Sequence, residues 1–367
     1  MSRFPWRTLQ VGDRQVRLRT RGEQPAPGAV YLCPSVGEYP IYDEVIYQVM
    51  LADERRNTLF RGAIDNAVAP GAVVLEIGCG PDLLWTLTAI DAGATRAYAI
   101  EVMPDSARRA EQTARRHPSA DIRVIAGDAT SVVLPERADV CIAEIVGCIG
   151  SSEGIVPVTA DARRRHLTPS AILIPSAVRT LAGAVGLLDL LGGEVAMPSA
   201  FAPYTEAVLQ QAGLPFDLRL YVGGLDPSAL MSTTGVIEDL RFNEQSGGPD
   251  GDLRLEITRP GRLDGLVAWI ELAVAPGDAG LNSLADDTNW LPVYLPFALR
   301  EPIGVGVGDV LSLQVATTNA SDGIHPEYWF HGELTRAGSG TGVPVRAESR
   351  YSGGAFRSTV IHRGLLR

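Results

Sequence analysis

Apolar and polar residues alternate along this chain with two different periods. Ile41, Val45 and Val49, then Met50, Leu51, Leu59, Phe60 and Ile64, recur at helical intervals. A helix is therefore predicted over 41–68, stopped by Pro70-Gly71. Val73-Val74-Leu75-Glu76-Ile77 is a short apolar run closed by Gly78-Cys79-Gly80-Pro81, which reads as a buried strand ending in a tight turn. Helical spacing resumes from Asp82 to Ile90. Residues 97–101, 122–126, 139–145 and 171–175 read as further strands, with helices over 104–116 and 160–166. This alternation predicts an α/β fold with a doubly wound, parallel sheet.

Beyond Pro175 the period becomes two. Runs at 218–221, 253–257, 267–274, 310–316 and 328–334, separated by Gly and Pro, predict a mostly antiparallel β-barrel or sandwich. Residues 1–34 also alternate and predict a short hairpin with no assigned chemistry. Residues 186–216 interrupt the pattern with helix-like apolar sequence, including Leu187, Leu188, Leu190, Leu191, Val208 and Leu209. Such a segment has no place in a barrel and would expose apolar surface if left free. It is expected to be a dimerisation arm that docks on a second copy, giving a head-to-tail homodimer. Residues 244–252 read as a surface loop and 337–341 as a flexible connection. The expected organisation is an N-terminal extension (1–37), a helix plus Rossmann-like domain (38–178), and a β-barrel substrate domain (179–367) carrying the arm.

Composition narrows the chemistry. The formal net charge of −11 argues against a nucleic-acid partner and is compatible with a cationic substrate. No apolar run reaches membrane-spanning length, so no membrane partner is expected. Residues 1–9 have no hydrophobic signal core, so the cytoplasm is expected. The four cysteines lack metal spacing and read as reduced thiols, with no metal expected. All 32 basic residues are arginine, which suggests a GC-rich bacterial genome.

The glycine turn carries the first functional signal. Glycine at 78 and 80 lets the backbone turn sharply and approach a ligand. Glu101, about twenty residues on, ends the next predicted strand, where a carboxylate can take the hydroxyls of a ribose. Asp82 stands where a dinucleotide fingerprint has its third glycine. That favours an adenosine ligand without a pyrophosphate, and S-adenosyl-L-methionine is the obvious one.

With these elements placed, residues 38–335 resemble the protein arginine N-methyltransferase family, in a bacterial form. The resemblance rests on Met50-Leu51-Ala52-Asp53-Glu54-Arg55-Arg56-Asn57, on the strand and turn at 74–80, on Tyr98-Ala99-Ile100-Glu101, on Ala143-Glu144-Ile145-Val146-Gly147 with Glu153-Gly154, and on Thr288-Asn289-Trp290. Two departures are visible. The family's paired tyrosines are only loosely present, as Tyr39 and Tyr42. Its loop histidine is Asn289.

The resemblance implies a role for each matched residue. Glu144 and Glu153 would bind the guanidinium of arginine through charge-assisted hydrogen bonds and expose one nitrogen. Glu144 would also border the cofactor. Arg56 would hold the cofactor's methionine carboxylate, beside Glu76, Gly78, Gly80 and Glu101. Asp128 and Ala129 would meet the adenine, unless Asp128 is simply a turn residue. Asp53 would face the active-site loop as a catalytic residue. Met50 would pack by the target nitrogen and limit added methyls, unless it is core. Tyr42, Asn289 and Trp290 would line the substrate site, with Trp290 alternatively barrel core. Asn289 can hydrogen-bond but cannot titrate. The implied activity is methylation of an ω-nitrogen of arginine. Free L-arginine or a small arginine-containing metabolite is favoured, with monomethylation. Arginine in a protein or ribosomal peptide, or a catalytically silent cofactor-binding subunit, are the alternatives.

Overall fold

A computed structural model describes residues 4–244, 251–278 and 280–367. In chain order the first elements are β1 (Trp6–Val11), β2 (Arg14–Arg19), β3 (Tyr31–Pro34), α1 (Glu44–Ala52), α2 (Glu54–Ala67) and β4 (Val73–Ile77). There follow α3 (Leu84–Asp91), β5 (Arg96–Glu101), α4 (Pro104–Arg115), β6 (Ile122–Ala126), β7 (Ala138–Ala143), α5 (Ile155–Arg165) and β8 (Leu167–Ile174). Strands β4 to β8 form one parallel sheet in the order β6-β5-β4-β7-β8. The order reverses between β4 and β7, and ligands bind at such switch points, outside the carboxyl ends of the strands. The strands are apolar on both faces because helices cover both sides.

The helix predicted over 41–68 is two helices. Asp53 is at once the C-cap of α1 and the N-cap of α2, where its side chain accepts from the Arg56 N–H. An aspartate cap competes with helix continuation, so the chain turns there. Met50 and Arg56 therefore sit on different helices rather than on one face.

The second region contains β9 (Ala177–Val185), α6 (Leu187–Leu190), α7 (Ala202–Ala212), β10 (Leu220–Gly223), β11 (Gly235–Arg241), β12 (Gly251–Glu256), β13 (Gly261–Leu263) and β14 (Gly265–Ala273). It continues with β15 (Leu281–Asn282), β16 (Val293–Pro296), β17 (Ile303–Val305), β18 (Val310–Asn319), β19 (Pro326–Thr335), β20 (Gly342–Ser349) and α8 (Val360–Leu365). One antiparallel sheet runs β11-β9-β14-β16-β10-β3, with β15 on β14; a second runs β12-β18-β19-β20. Single bridges, Phe297–Ala347 and Ser232–Ile257, join strands of the two sheets or their extensions. Residues 337–341 lie in the connection between the paired strands β19 and β20. Most of the loop expected at 244–252 lies outside the described residues.

The period-two pattern in β9 and β14 feeds two cores. Ala182, Ala184, Leu266, Ala268 and Ile270 join the main core, shared with the second sheet and the parallel sheet. Leu181, Val185, Val267 and Trp269 point the other way, into a second core. That core is closed by β1, β2, α8 and the 186–216 segment. Leu187, Leu191, Val208, Leu209 and Phe216 are all buried within this same chain. Within the chain, the N-terminal hairpin and α8 cover much of this segment's apolar sequence, while Leu190 stays exposed. β3, within the N-terminal stretch, is an edge strand of the large sheet, paired with β10. Among the described residues no helix is long and apolar enough to cross a membrane.

Candidate active site

The site has two ends. At the first, β4 runs into Gly78 and Gly80, whose φ angles of +77° and +61° favour glycine. A Cβ on Gly78 would lie 2.9 Å from the Ile145 side chain, so Ile145 packs directly against the bare backbone of this turn. The N–H groups of Gly78 and Cys79 donate to the Ile100 carbonyl at 2.9 and 3.1 Å, tying the turn to β5. Glu101, buried at the end of β5, accepts from the Gly80 and Met103 N–H groups at 2.9 and 2.8 Å. Burial raises its pKa and those N–H groups moderate the rise. A small cavity of about 60 Å³ lies here, lined by Tyr47, Met50, Arg56, Glu76, Gly78 and Glu144 among others.

Two expected cofactor residues are occupied locally. Glu76 accepts from both the N–H and the hydroxyl of Thr86, one turn into α3, and burial pushes its carboxyl up to about 8. Asp128 is exposed and its Oδ1 accepts from the Thr130 N–H and hydroxyl at 2.7 and 2.8 Å, a side-chain-closed turn, with buried Ala129 beside it.

Arg56 stands between the two ends. Its guanidinium pairs with Glu144 and donates to the Met50 carbonyl at 3.2 Å and the Asn57 side chain at 2.9 Å. It lies 5.0 Å from the Trp85 ring, a cation–π contact that fixes its plane. Asp53 does not pair with that guanidinium. One oxygen accepts from the Arg56 N–H, the other from the Thr288 hydroxyl and the Asn289 N–H at 2.6 and 2.9 Å. Asp53 is thus a latch between the helices and the 288–290 loop. The side-chain oxygen of Asn289 is buried without a partner.

The second end is built on the loop from Glu144 to Gly154. Glu144 follows β7 at the switch point. The loop then doubles back, pinned on three sides. Gly150 N–H donates to Thr180 at 2.9 Å, and the Ser151 hydroxyl bonds Glu238 and Tyr328. Trp290 Nε1 donates to the Val146 carbonyl at 2.7 Å. This brings Glu153 beside Glu144. Tyr42 donates to Glu153 at 3.3 Å. Gly37 lies so close that a Cβ would sit 1.9 Å from the Glu153 carboxylate, so only glycine leaves it room. Behind it Glu38 is buried in a pair with Arg219 and accepts from Ser35. Burial raises the pKa of both glutamates. The Arg56 charge draws Glu144 back down. Glu153 stays well above the carboxylate range, pushed further by Glu38 and Glu144 and opposed only in part by Tyr42 and Arg219.

These residues floor a cavity of about 530 Å³. The structure brings Tyr42, Met50, Glu144, Glu153, Asn289 and Trp290 together in its lining. Tyr39 does not: it is buried elsewhere, donating to the Tyr351 carbonyl at 2.6 Å. The tyrosine that partners Tyr42 is Tyr47, stacked on it at 5.7 Å and set against Gly80. Missed by sequence were Gly37, Glu38 and Arg219, together with Tyr31, Phe201 and Tyr204 in the wall. Arg219 alone carried a signal, as a charge inside the apolar run Leu218–Tyr221.

A parallel sheet with a glycine turn after one strand and a carboxylate ending the next is a Rossmann-like nucleotide-binding arrangement, here joined to a paired-glutamate loop. The residues fit S-adenosylmethionine: the turn at Gly78 and Gly80, the Arg56 guanidinium and the fixed Glu101 carboxylate. No family model matches the chain. It is 28% identical over 276 residues to an arginine N(omega)-methyltransferase of Streptomyces achromogenes subsp. streptozoticus, covering 72% of this chain and 74% of that protein. It is 28% identical over 305 residues to protein arginine N-methyltransferase PRMT10 of Oryza sativa subsp. japonica, covering 71% and 77%. In fold it matches the crystal structure of Arabidopsis thaliana protein arginine methyltransferase 10, with a TM-score of 0.65 and 19% identity over 83% of this chain and 96% of that one. It also matches a chain of the Trypanosoma brucei PRMT1 enzyme–prozyme heterotetrameric complex with AdoHcy, with a TM-score of 0.65 and 17% identity over 83% and 98%. The chain is a relative of the protein arginine N-methyltransferases in sequence and shares their fold.

Proposed function

We propose that this S-adenosylmethionine-dependent arginine N-methyltransferase adds a single methyl to an ω-nitrogen of a small arginine-bearing substrate, either free L-arginine or a metabolite that contains arginine. The observation that carries the reading is that Met50 and Glu144 line both cavities. The reacting atoms meet between them.

When bound, the cofactor supplies an electrophilic methyl group. The chain supplies orientation and charge. A guanidinium is planar and delocalised, so its nitrogen is a poor nucleophile until charge is drawn to the other nitrogens. Glu144 has Oε2 engaged by Arg56, which leaves Oε1 to accept from the substrate. Glu153 supplies the second carboxylate. Both of the Asp53 oxygens are engaged and Asn289 cannot titrate, so the proton leaving the methylated nitrogen goes to a glutamate. Glu153, with its raised pKa, suits that role. Met50 crowds the junction and supports transfer of one methyl. The intact glutamate pair speaks against a silent subunit.

The test is mass spectrometry after long incubation with S-adenosylmethionine and arginine compounds. Nω-monomethylated product is expected. Dimethylated product in excess, or methylation of arginine only in proteins, would overturn the reading.

A further inference from the structure

Glu144 ends a strand of the parallel sheet, and Glu153 returns to it only if residues 147–152 fold tightly. They do. The Ser152 N–H donates to the Ile149 carbonyl at 2.8 Å, and the Gly154 N–H to the Ser151 carbonyl at 3.0 Å. A Cβ on Gly147 would lie 1.9 Å from the Ser152 hydroxyl and 3.2 Å from Cγ of Glu153, so the two arms of the loop close on a glycine.

These contacts fix the shape of the turn but not where it sits. Its seat is on the antiparallel sheet. Gly150 lies against β9, where its N–H donates to the Thr180 hydroxyl at 2.9 Å and a Cβ would come 2.9 Å from Val178. Ser151 lies against β11. Its hydroxyl donates to Glu238 Oε1 and accepts from the Tyr328 hydroxyl of β19 at 2.7 Å. The other oxygen of Glu238 accepts from the Thr180 hydroxyl at 2.7 Å and the Ser151 N–H at 3.4 Å.

Glu238 is therefore the hub of the seat. Each bond that holds the tip to β9 or β11 ends on this carboxylate or on the Thr180 hydroxyl that it orients. The side chain is 2% exposed, and among the described residues no cation forms an ion pair with it. Burial raises its pKa, and the Ser151 and Thr180 hydrogen bonds draw it back. An ionised carboxylate accepts at both oxygens, and such bonds are stronger than neutral ones. Glu238 lines neither cavity of the site.

We propose, resting on the function given above, that Glu238 is a positioning residue: it sets Glu153 against Glu144 by holding Gly150 and Ser151, and touches neither substrate nor cofactor. Glu153 lies two residues past Ser151, so a shift of the tip is passed on to its carboxylate. A misplacement of about 1 Å, even from a change far from the chemistry, can cost about 10²-fold in rate.

The experiment measures kcat, KM and cofactor affinity of the full chain, with L-arginine and an arginine-containing peptide as methyl acceptors. Glu238→Gln keeps the volume but puts an NH2 group where an oxygen accepted. It should lower kcat by about 10–100-fold and leave cofactor affinity unchanged. Ser151→Ala removes a partner of the same carboxylate, so adding it to Glu238→Gln should lower kcat little further. If Glu238→Gln does not fold, Thr180→Val frees Gly150 and one Glu238 oxygen and carries the same test. A merely structural role would lower the melting temperature and spare the kcat of the folded protein. Normal kcat in a folded variant, or losses from Ser151→Ala and Glu238→Gln that simply multiply, would overturn this inference alone. A parent chain that methylates neither acceptor would instead overturn the proposed function.

Discussion

The cofactor end and the substrate end of this site are built in opposite ways. The first is small and draws chiefly on neighbouring elements: a glycine turn, the end of the next strand, and two helix residues nearby. Its central charges are compensated, Arg56 by Glu144 and Glu101 by backbone N–H groups. The second is large, assembled from segments scattered from Gln24 to Leu291, and its key carboxylate is uncompensated. Among the described residues no cation pairs directly with Glu153. The difference shows where each end gets its specificity. One presents a surface whose charges are already paired, whereas the other holds a buried carboxyl with no cation on it.

The largest expected effect falls on the buried pair behind the substrate end. Arg219→Met would leave Glu38 buried and alone, and should destabilise the fold by about 3–5 kcal/mol. Urea unfolding measures this, and Glu38→Gln in the same chain should restore part of the loss. A variant as stable as the parent would mean that the pair plays no part in supporting the substrate end.

Next come the glutamates themselves. Glu144→Gln and Glu153→Gln should each lower turnover by about 10²–10³-fold, through loss of a charge realised at the transition state. Their effects on the cofactor should part company. Glu144→Gln removes the partner of Arg56 and should change cofactor affinity in calorimetry. Glu153→Gln should leave it alone. Equal cofactor effects would erase the distinction between the two ends.

The smallest effect is a proton. Because the pKa of Glu153 is raised, the acid is neutral below that pKa, and an arriving guanidinium must displace its proton. Substrate affinity should therefore rise with pH until the acid is ionised, with proton release on binding. Calorimetry in buffers of different ionisation enthalpy, with the demethylated cofactor present, reads this directly. Glu153→Gln should abolish most of the release, because Arg56 already lowers the proton affinity of Glu144.

The cofactor end was legible because its information is local. The apolar run at 73–77, the glycines after it and Glu101 at the end of the next strand are each a short-range signal, and all lie where they were expected. The substrate end was legible only where it resembles a known pattern, at Tyr42, Met50, Glu144, Glu153, Asn289 and Trp290. Gly37 could not be read from sequence, because its reason is a carboxylate more than a hundred residues away. The break at Asp53 was hidden by apolar spacing that carries through it. What covers the 186–216 segment within the chain could not be read, because sequence shows apolar residues without showing what lies against them. Here the cover came from β1, β2 and α8, at the two extremes of the chain.

One helix joins the two ends. α1 lines both cavities through Met50, yet none of its residues is buried. Its ties to the rest of the chain include Asp43 to Tyr204, Glu44 to Arg109 and, just past its end, Asp53 to the 288–289 loop. Local opening costs least where few apolar contacts are lost. The wall next to the reacting atoms is therefore the part that yields first to thermal motion. Hydrogen exchange should therefore be faster at its amides than at those of α2, whose Phe60 and Ile64 are buried in the core.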